Sequence, residues 1–565
     1  MECFYLKLRN NIYIDSDLQL AEKEVSNLFR KYSPITKSTL SSVSFIDQIH
    51  VVSNSRKGDT IGYLVSEPNV PIQRCAILLS FIQEIWCERV KSDILSNGTF
   101  CIVGNSVCII PMMSMSEFLF YTTSPDEATA NKIVKYLATL EDCGKSITAA
   151  VHRANTSTPH LHSFHTYKAK FFPRFVHSLI VSNYDVRKEH INVCDSFVGS
   201  GTTLIESALM GHESIGIDID ALSCFISKVK SAALNINLSD ISNTEICSDL
   251  NLLKTNIHYT FPDVIERKFI RWNSLDEMRK YQEEISSILN NIEQESSPYK
   301  ELHKIALSDA LTRKFNVRMM GTGSGRFALE IGKKSIDTIV KSDIANEFKG
   351  IQTIQTIKNL YGITATPPSI IHGSATKRDI ADKTQDIIIT SPPYLPASSG
   401  REDYLIGKLI SLKAMGLYND EMIRSYNINS IGSMSNESDN LKGLPNAVIK
   451  LYNWLLNDEL RSIKAKPIIA YYNSLKEALV EDKRILKDCG RIIYIIGKES
   501  VFYKSSTKEI LYTVNCEQIF KELAESIGLK VIETINIELD KKNRIARPRG
   551  TDKYYECAII MEKSQ

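Results

Sequence analysis

From about Ile191 onward, short runs rich in β-branched residues alternate with helical patterns, an order that few folds accommodate. The runs are Ile191–Cys194, Ser214–Ile217, Ser369–Ile371, Asp386–Ile389, Pro467–Ala470, Arg491–Ile495, Lys530–Ile532 and Cys557–Ile560. Short, strongly apolar runs of this kind suit strands covered on both faces, as in a largely parallel sheet. The expected fold class is therefore α/β. Between the second and third runs lies a stretch of helical periodicity, including Tyr281–Leu289, with no strand pattern. It is expected outside the sheet, as a long helical insertion.

Upstream, Phe4–Leu8 reads as a strand, and apolar positions at Leu20, Val25, Leu28 and Phe29 follow it at helical spacing. The apolar segments Ile77–Ile82 and Cys101–Val103 continue this region, and the polar stretch Arg153–Pro159 reads as a linker. The organisation predicted is a small N-terminal α+β domain over 1–150, a sheet domain assembled from 160–240 and 365–565, and an insertion over 241–364.

Composition narrows the class further. A chain of 565 residues, 43% hydrophobic and 24% charged, has the make-up of globular protein with real cores. Its net charge of +2 gives no global basic field, so a nucleic-acid partner must meet a local patch. The 12 cysteines never form a Cys-x-x-Cys pair, which argues against a zinc ribbon or a disulfide framework. No metal is expected. No apolar run approaches the roughly 20 residues that span a bilayer, and a reducing, cytoplasmic setting without a membrane is the expectation.

Two strand ends carry chemistry. The first opens into Asp195-Ser196-Phe197-Val198-Gly199-Ser200-Gly201-Thr202-Thr203 and then a helix. Its glycines let the backbone turn sharply and approach a ligand, while the helix N-terminus offers free N–H groups to a carboxylate. Such a loop alone is equally a tight strand–helix turn. Its weight comes from Gly216-Ile217-Asp218-Ile219-Asp220, which ends the next strand with an acid placed to accept both hydroxyls of a ribose. Asp218 sits nearer the strand end and is the expected ribose ligand, with Asp220 in reserve or capping the next helix.

The second strand, Asp386–Ile389, stops abruptly in Thr390-Ser391-Pro392-Pro393-Tyr394. Consecutive prolines remove two N–H donors and hold the chain extended, leaving the carbonyls of Ser391 and Pro392 free to point into a pocket. Those are acceptors for an amino group. The lone pair of a nucleobase amine is delocalised into its ring, and acceptors binding both its hydrogens favour a more nucleophilic nitrogen. Tyr394 is then placed to stack on a base swung out of the double helix.

Together these segments resemble the DNA amino-methyltransferase family, which modifies cytosine N4 or adenine N6, over most of Ser163 through Ser564. DSFVGSGTT looks like the family's cofactor loop, GIDID like its ribose-binding tip and SPPY like its catalytic motif. Serine in first place is most often associated with cytosine N4; adenine enzymes more often carry Asp or Asn there. His165-Thr166-Tyr167-Lys168-Ala169-Lys170-Phe171-Phe172-Pro173 is similar to the family's additional cofactor motif, although by itself it reads as the start of an amphipathic helix. The resemblance implies a Rossmann-like class I methyltransferase sheet and S-adenosylmethionine as cofactor. It assigns cofactor contacts to Tyr167, Lys170, Phe171, Asp195, Phe197, Gly199, Gly201, Thr202, Asp218 and Ser374, and the reaction to Ser391, Pro392, Pro393 and Tyr394. Ser374, in His372-Gly373-Ser374-Ala375, stands where many relatives have an acid for the adenine amine, so its contact is the weaker one. Leu486-Lys487-Asp488-Cys489-Gly490-Arg491 is also family-like, and equally reads as a helix ending at Gly490.

The expected partner is double-stranded DNA with its target base flipped out, in a restriction–modification setting with a companion nuclease. Arg544, Arg547 and Arg549 precede the last strand and suit phosphate contact, against the plainer reading of a solvated loop. In the insertion, Arg313, Lys314, Arg318 and Arg326 flank Gly321–Gly325, a basic loop able to enter a groove and read sequence. The rivals are an adenine-N6 enzyme, an RNA base methyltransferase of the guanine-N2 type behind an N-terminal RNA-binding domain, and a noncatalytic binding module with a degenerate fold.

Overall fold

The computed structural model describes residues 2–12, 14–43, 59–88, 99–139, 144–154, 158–167, 170–237, 257–263, 265, 275–319, 327–395, 402–504, 506–507, 509–538 and 555–564. Near the N-terminus, β1 (Cys3–Leu8), β2 (Phe29–Thr36), β3 (Thr60–Pro68), β4 (Ile82–Glu88), β5 (Phe100–Val103) and β6 (Ser106–Ile109) form one sheet. Its order is β2-β3-β1-β4-β6-β5, with every neighbour antiparallel.

A larger, seven-stranded sheet follows. It is built from β7 (Asn192–Asp195) and β8 (Glu213–Asp218), then, beyond an outlying hairpin of β9 (Phe315–Met319) and β10 (Phe327–Ile331), from β11 (Ser369–His372) and β12 (Gln385–Thr390). The chain continues with β13 (Leu486–Gly497), a second hairpin of β14 (Glu499–Tyr503) and β15 (Ile510–Asn515), and finally β16 (Leu529–Glu538) and β17 (Tyr555–Lys563). The sheet order is β11-β8-β7-β12-β13-β17-β16, parallel from β11 to β13, with β17 antiparallel to both its neighbours. This is the Rossmann-like, doubly wound arrangement expected from the alternating pattern. Strand order reverses between β7 and β12, and the crevice outside the strand ends at such a reversal is where open α/β sheets bind ligands.

The apolar run of β12 has a purpose on each face. Ile387 and Ile389 enter a core shared with Val176, Leu179 and Ile180 of the helix Pro173–Val181 and with Phe4, Leu6 and Ile85 of the N-terminal sheet. Ile388 faces the other way, into a core with Ile468, Ile469 and Leu475 of the helix Ala465–Ile485 and with Phe520 of the helix Cys516–Ser526. The N-terminal sheet and the large sheet thus bury side chains in one continuous apolar cluster.

Three expectations are corrected. Pro467–Ala470 is helical, the first turns of Ala465–Ile485. Ile468, Ile469, Tyr472, Leu475 and Leu479 recur at helical spacing and are buried, and proline is tolerated in a first turn because its missing N–H has no partner there. Gly490 lies within β13 and ends no helix; a Cβ there would sit 2.8 Å from the Asp386 carbonyl of the adjacent strand, so close strand approach explains the glycine. The insertion contributes the helices Leu275–Glu293, Tyr299–Lys314 and Ile336–Tyr361, but also the β9–β10 hairpin, whose short mixed runs carry too weak a period to be read. Among the described residues no helix is long and apolar enough to cross a membrane.

Candidate active site at the strand-order reversal

The loop after β7 turns through left-handed backbone at Gly199 (φ 50°) and Gly201 (φ 77°), conformations that cost other residues about 1 kcal/mol or more. At Gly201 space is closed as well, since a Cβ would lie 2.9 Å from Ser227 Oγ. Neighbouring side chains hold the loop from below. Ser227 Oγ donates to the Gly199 carbonyl (3.0 Å), and the fully buried Lys230 ammonium donates to that of Ser200 (2.7 Å).

Asp195, at the end of β7, ties this loop to the neighbouring strand. Its carboxylate accepts hydrogen bonds from Thr203 Oγ1 (2.6 Å), Thr390 Oγ1 (2.6 Å) and the Phe197 N–H (3.1 Å). Burial pushes its pKa up to about 6 despite these donors. The residue following Thr390 is Ser391. One buried carboxylate therefore sets the spacing between the glycine loop and the Ser391–Tyr394 segment.

Asp218, at the tip of β8, accepts from the Gly199 N–H and the Asp220 N–H, both at 2.9 Å, one on each oxygen. Each oxygen keeps a lone pair for a ligand. Burial, followed by the neighbouring Asp220 charge, holds its pKa above the usual carboxylate range. Asp220 caps the helix Ala221–Ala233 through the Leu222 N–H (3.0 Å) and also accepts from Ser223 Oγ (3.0 Å). It is ion-paired with Lys408, whose attraction outweighs burial and keeps the Asp220 pKa low.

Tyr167 packs on the loop: a Cβ at Gly199 would touch its ring at 3.3 Å, its hydroxyl bonds Ser223 Oγ (2.9 Å), and Lys408 Nζ lies 4.9 Å from its ring centroid. Lys170 reaches the same cavity, yet its ammonium is spoken for. It donates to the carbonyls of His162 and His165, and burial lowers its pKa to about 8.

At the tip of β12, no described residue donates to the carbonyl of Ser391 or of Pro392, while that of Pro393 accepts from Tyr471 Oη at 3.0 Å. Tyr394 donates its hydroxyl hydrogen to Glu556 Oε1 at 2.8 Å.

A single cavity of about 390 Å³ joins these parts. Tyr167, Lys170, Phe171, Asp195, Phe197, Gly199, Thr202, Asp218, Ser374 and the whole Ser391–Tyr394 segment line it. Gly201 lies outside the lining, at the start of the helix Thr202–Leu209. Arg544, Arg547 and Arg549 fall outside the described residues, as does the glycine-rich stretch 321–325. Among the described residues no group of His, Cys, Asp or Glu is arranged to hold a metal ion. The cavity also takes Lys408 from the helix Glu402–Ala414, Thr312 and Asn316 from the insertion, and Asn429 and Ser430 from the end of the helix Asp420–Asn429. These were not legible beforehand, because each is an ordinary polar residue in a helix or hairpin with no motif around it. Two buried hydroxyls on the wall, Thr202 Oγ1 and Ser430 Oγ, have no partner, and buried polar atoms left so usually await a ligand or water.

The chain aligns with methyltransferases. Over 391 residues it is 22% identical to the Type II methyltransferase M.MvaI of Kocuria varians, covering 65% of this chain and 83% of the relative. A stretch of 77 residues is 44% identical to M.MjaII of Methanocaldococcus jannaschii, 13% of either chain, and 339 residues are 26% identical to M.BsoBI of Geobacillus stearothermophilus, 56% of this chain and 64% of that one. All three relatives are Type II methyltransferases. A solved SAM-dependent methyltransferase from Methanosarcina mazei overlaps 67% of this chain and 94% of its own at 9% identity, with a TM-score of 0.24; the fold assignment rests on strand order instead. No protein-family profile matches the sequence.

Proposed function

We propose that this chain is a methyltransferase that uses S-adenosylmethionine to methylate the exocyclic amino group of a DNA base, with cytosine N4 as target. The observation that carries the reading is the shared cavity: Ser391 and Pro392, to whose carbonyls no described residue donates, line the same space as a glycine loop and an acidic strand tip. The cofactor chemistry fits this wall. Asp218 has lone pairs free for a ribose diol, and the unpartnered Thr202 hydroxyl and the start of its helix suit an amino-acid carboxylate. Cytosine is favoured over adenine by the serine at 391, and the Type II naming of the relatives supports a restriction–modification setting.

When bound, S-adenosylmethionine supplies an electrophilic methyl group. The Ser391 and Pro392 carbonyls accept the two hydrogens of the base amine, turning its lone pair toward the glycine-loop side, while the Tyr394 ring stacks on the base. Positioning and dipoles do the work. Ser391 is too weak a base to take a proton first, so the proton leaves after transfer, when the nitrogen is cationic and acidic. The test is to incubate the protein with labelled cofactor and mixed DNA and RNA, digest the product to nucleosides and identify the modified base by mass. N4-methylcytosine in DNA is expected; N6-methyladenine would reassign the base, and label confined to RNA would overturn the substrate.

Cofactor affinity is expected to depend on pH through Asp218. Protonation removes one acceptor from a pair that a ribose diol uses in full. Because the Asp218 pKa lies above the usual carboxylate range, Kd should rise as pH falls below that raised value, where an ordinary carboxylate would still be ionised. Calorimetry between pH 7 and 5 measures it, and Asp218→Asn should bind weakly at all pH with the slope gone. A flat Kd in the native protein would remove Asp218 from the ribose.

A further inference from the structure

Tyr394 reaches across the sheet. It follows β12, whose Thr390 is in register with Tyr494 of β13, and its hydroxyl meets Glu556, the second residue of β17, in register with Gly497 of β13. β13 lies between those two strands in the sheet, so the Tyr394–Glu556 bond links the segment after β12 to the start of β17 past the Gly497 end of β13. The second anchor is a carboxylate in a largely desolvated position, and burial shifts its pKa upward against the opposing Tyr394 bond. A phenol donating to an ionised carboxylate makes a directional bond, stronger than one between neutral groups. With the Pro393 carbonyl held by Tyr471, the segment is fixed at two points just beyond the carbonyls of Ser391 and Pro392. We infer that Glu556 is a positioning residue for methyl transfer: it holds the Tyr394 ring at the angle at which a flipped-out base stacks on it, without itself lining the cavity. This rests on the base-amine reading of the site.

An aromatic side chain free to turn about χ1 and χ2 offers its face only part of the time, and a hydroxyl tether removes that freedom. Glu556→Leu is accordingly expected to lower kcat/KM on DNA roughly ten- to a hundredfold, the scale of one hydrogen bond to a charged group. Kd for S-adenosylmethionine should not move. Glu556→Gln keeps an acceptor oxygen and should recover most of the loss. Tyr394→Phe, which keeps the ring and deletes the hydroxyl, should match Glu556→Leu, and the double variant should be no worse than either single one. The assay uses the full chain, mixed-sequence DNA and tritiated S-adenosylmethionine, with circular dichroism to check folding. If Glu556→Leu misfolds, Tyr394→Phe alone decides. Additive losses in the double variant, or a fully active Tyr394→Phe, would overturn the inference while leaving the function intact. If the native protein labels no DNA, the base-amine reading falls and this inference falls with it.

Discussion

Replacing Tyr394 with alanine is expected to lower methyl transfer roughly 10²- to 10³-fold while leaving S-adenosylmethionine affinity nearly unchanged. Stacking of one base on one aromatic ring is worth about 1–3 kcal/mol, and loss of alignment between amine and methyl adds to it. The side chain lies on the cavity wall and belongs to none of the three apolar clusters formed by the described residues. The loop that carries it also keeps its other tether, from Tyr471 to Pro393. Single-turnover kinetics on DNA, set beside calorimetric binding of the cofactor, separates the two quantities. Transfer within threefold of the native rate would show that the ring is a wall and no platform. A parallel loss of cofactor binding would show instead that its effect is structural.

Much of this architecture is written in local pattern, because the features that signal it are local. Two glycines in a strand–helix turn, an acid closing a strand and two prolines after an apolar run each state a backbone requirement within a few residues. What completes the site comes from distant segments through the fold. Lys408 meets Asp220 and Tyr167, Asp309 of the insertion accepts from the Thr166 N–H at 2.5 Å, and Glu556 meets Tyr394, each pairing joining stretches far apart in the chain. The misread segment Pro467–Ala470 teaches the same lesson. Four residues cannot separate a strand period from a helical one, and only the buried positions through Leu479 settle it. The insertion, expected outside the sheet as a candidate target-recognition region, walls the cavity through Thr312 and Asn316.

The other large effect is expected at Asp195. Alanine there strips the buried hydroxyls of Thr203 and Thr390 of their acceptor and loosens the glycine loop from the strand that ends at Thr390, leaving the bond from the Phe197 N–H to Thr390 Oγ1 (3.0 Å) between them. Stability should fall by roughly 1–3 kcal/mol for orphaned buried donors, and cofactor binding and methyl transfer should fail together, unlike the Tyr394 case. Urea unfolding, calorimetry and turnover on the same preparation test this, and intact cofactor affinity would refute the tether. Asp195→Asn isolates the charge. In the folded chain the Asp195 pKa is pushed up to about 6, against about 3.9 for an unfolded chain. A carboxyl raised on folding gives its full stability below the unfolded value and loses it as pH rises through the folded one. The native protein's advantage over Asp195→Asn should therefore shrink between about pH 4 and 7, by an amount on the order of 2–3 kcal/mol. Groups common to both proteins cancel in that difference. A gap that stays constant or widens with pH would mean that this carboxyl is ionised throughout, and that the threonine hydroxyls hold a permanent charge at the junction of the two strands.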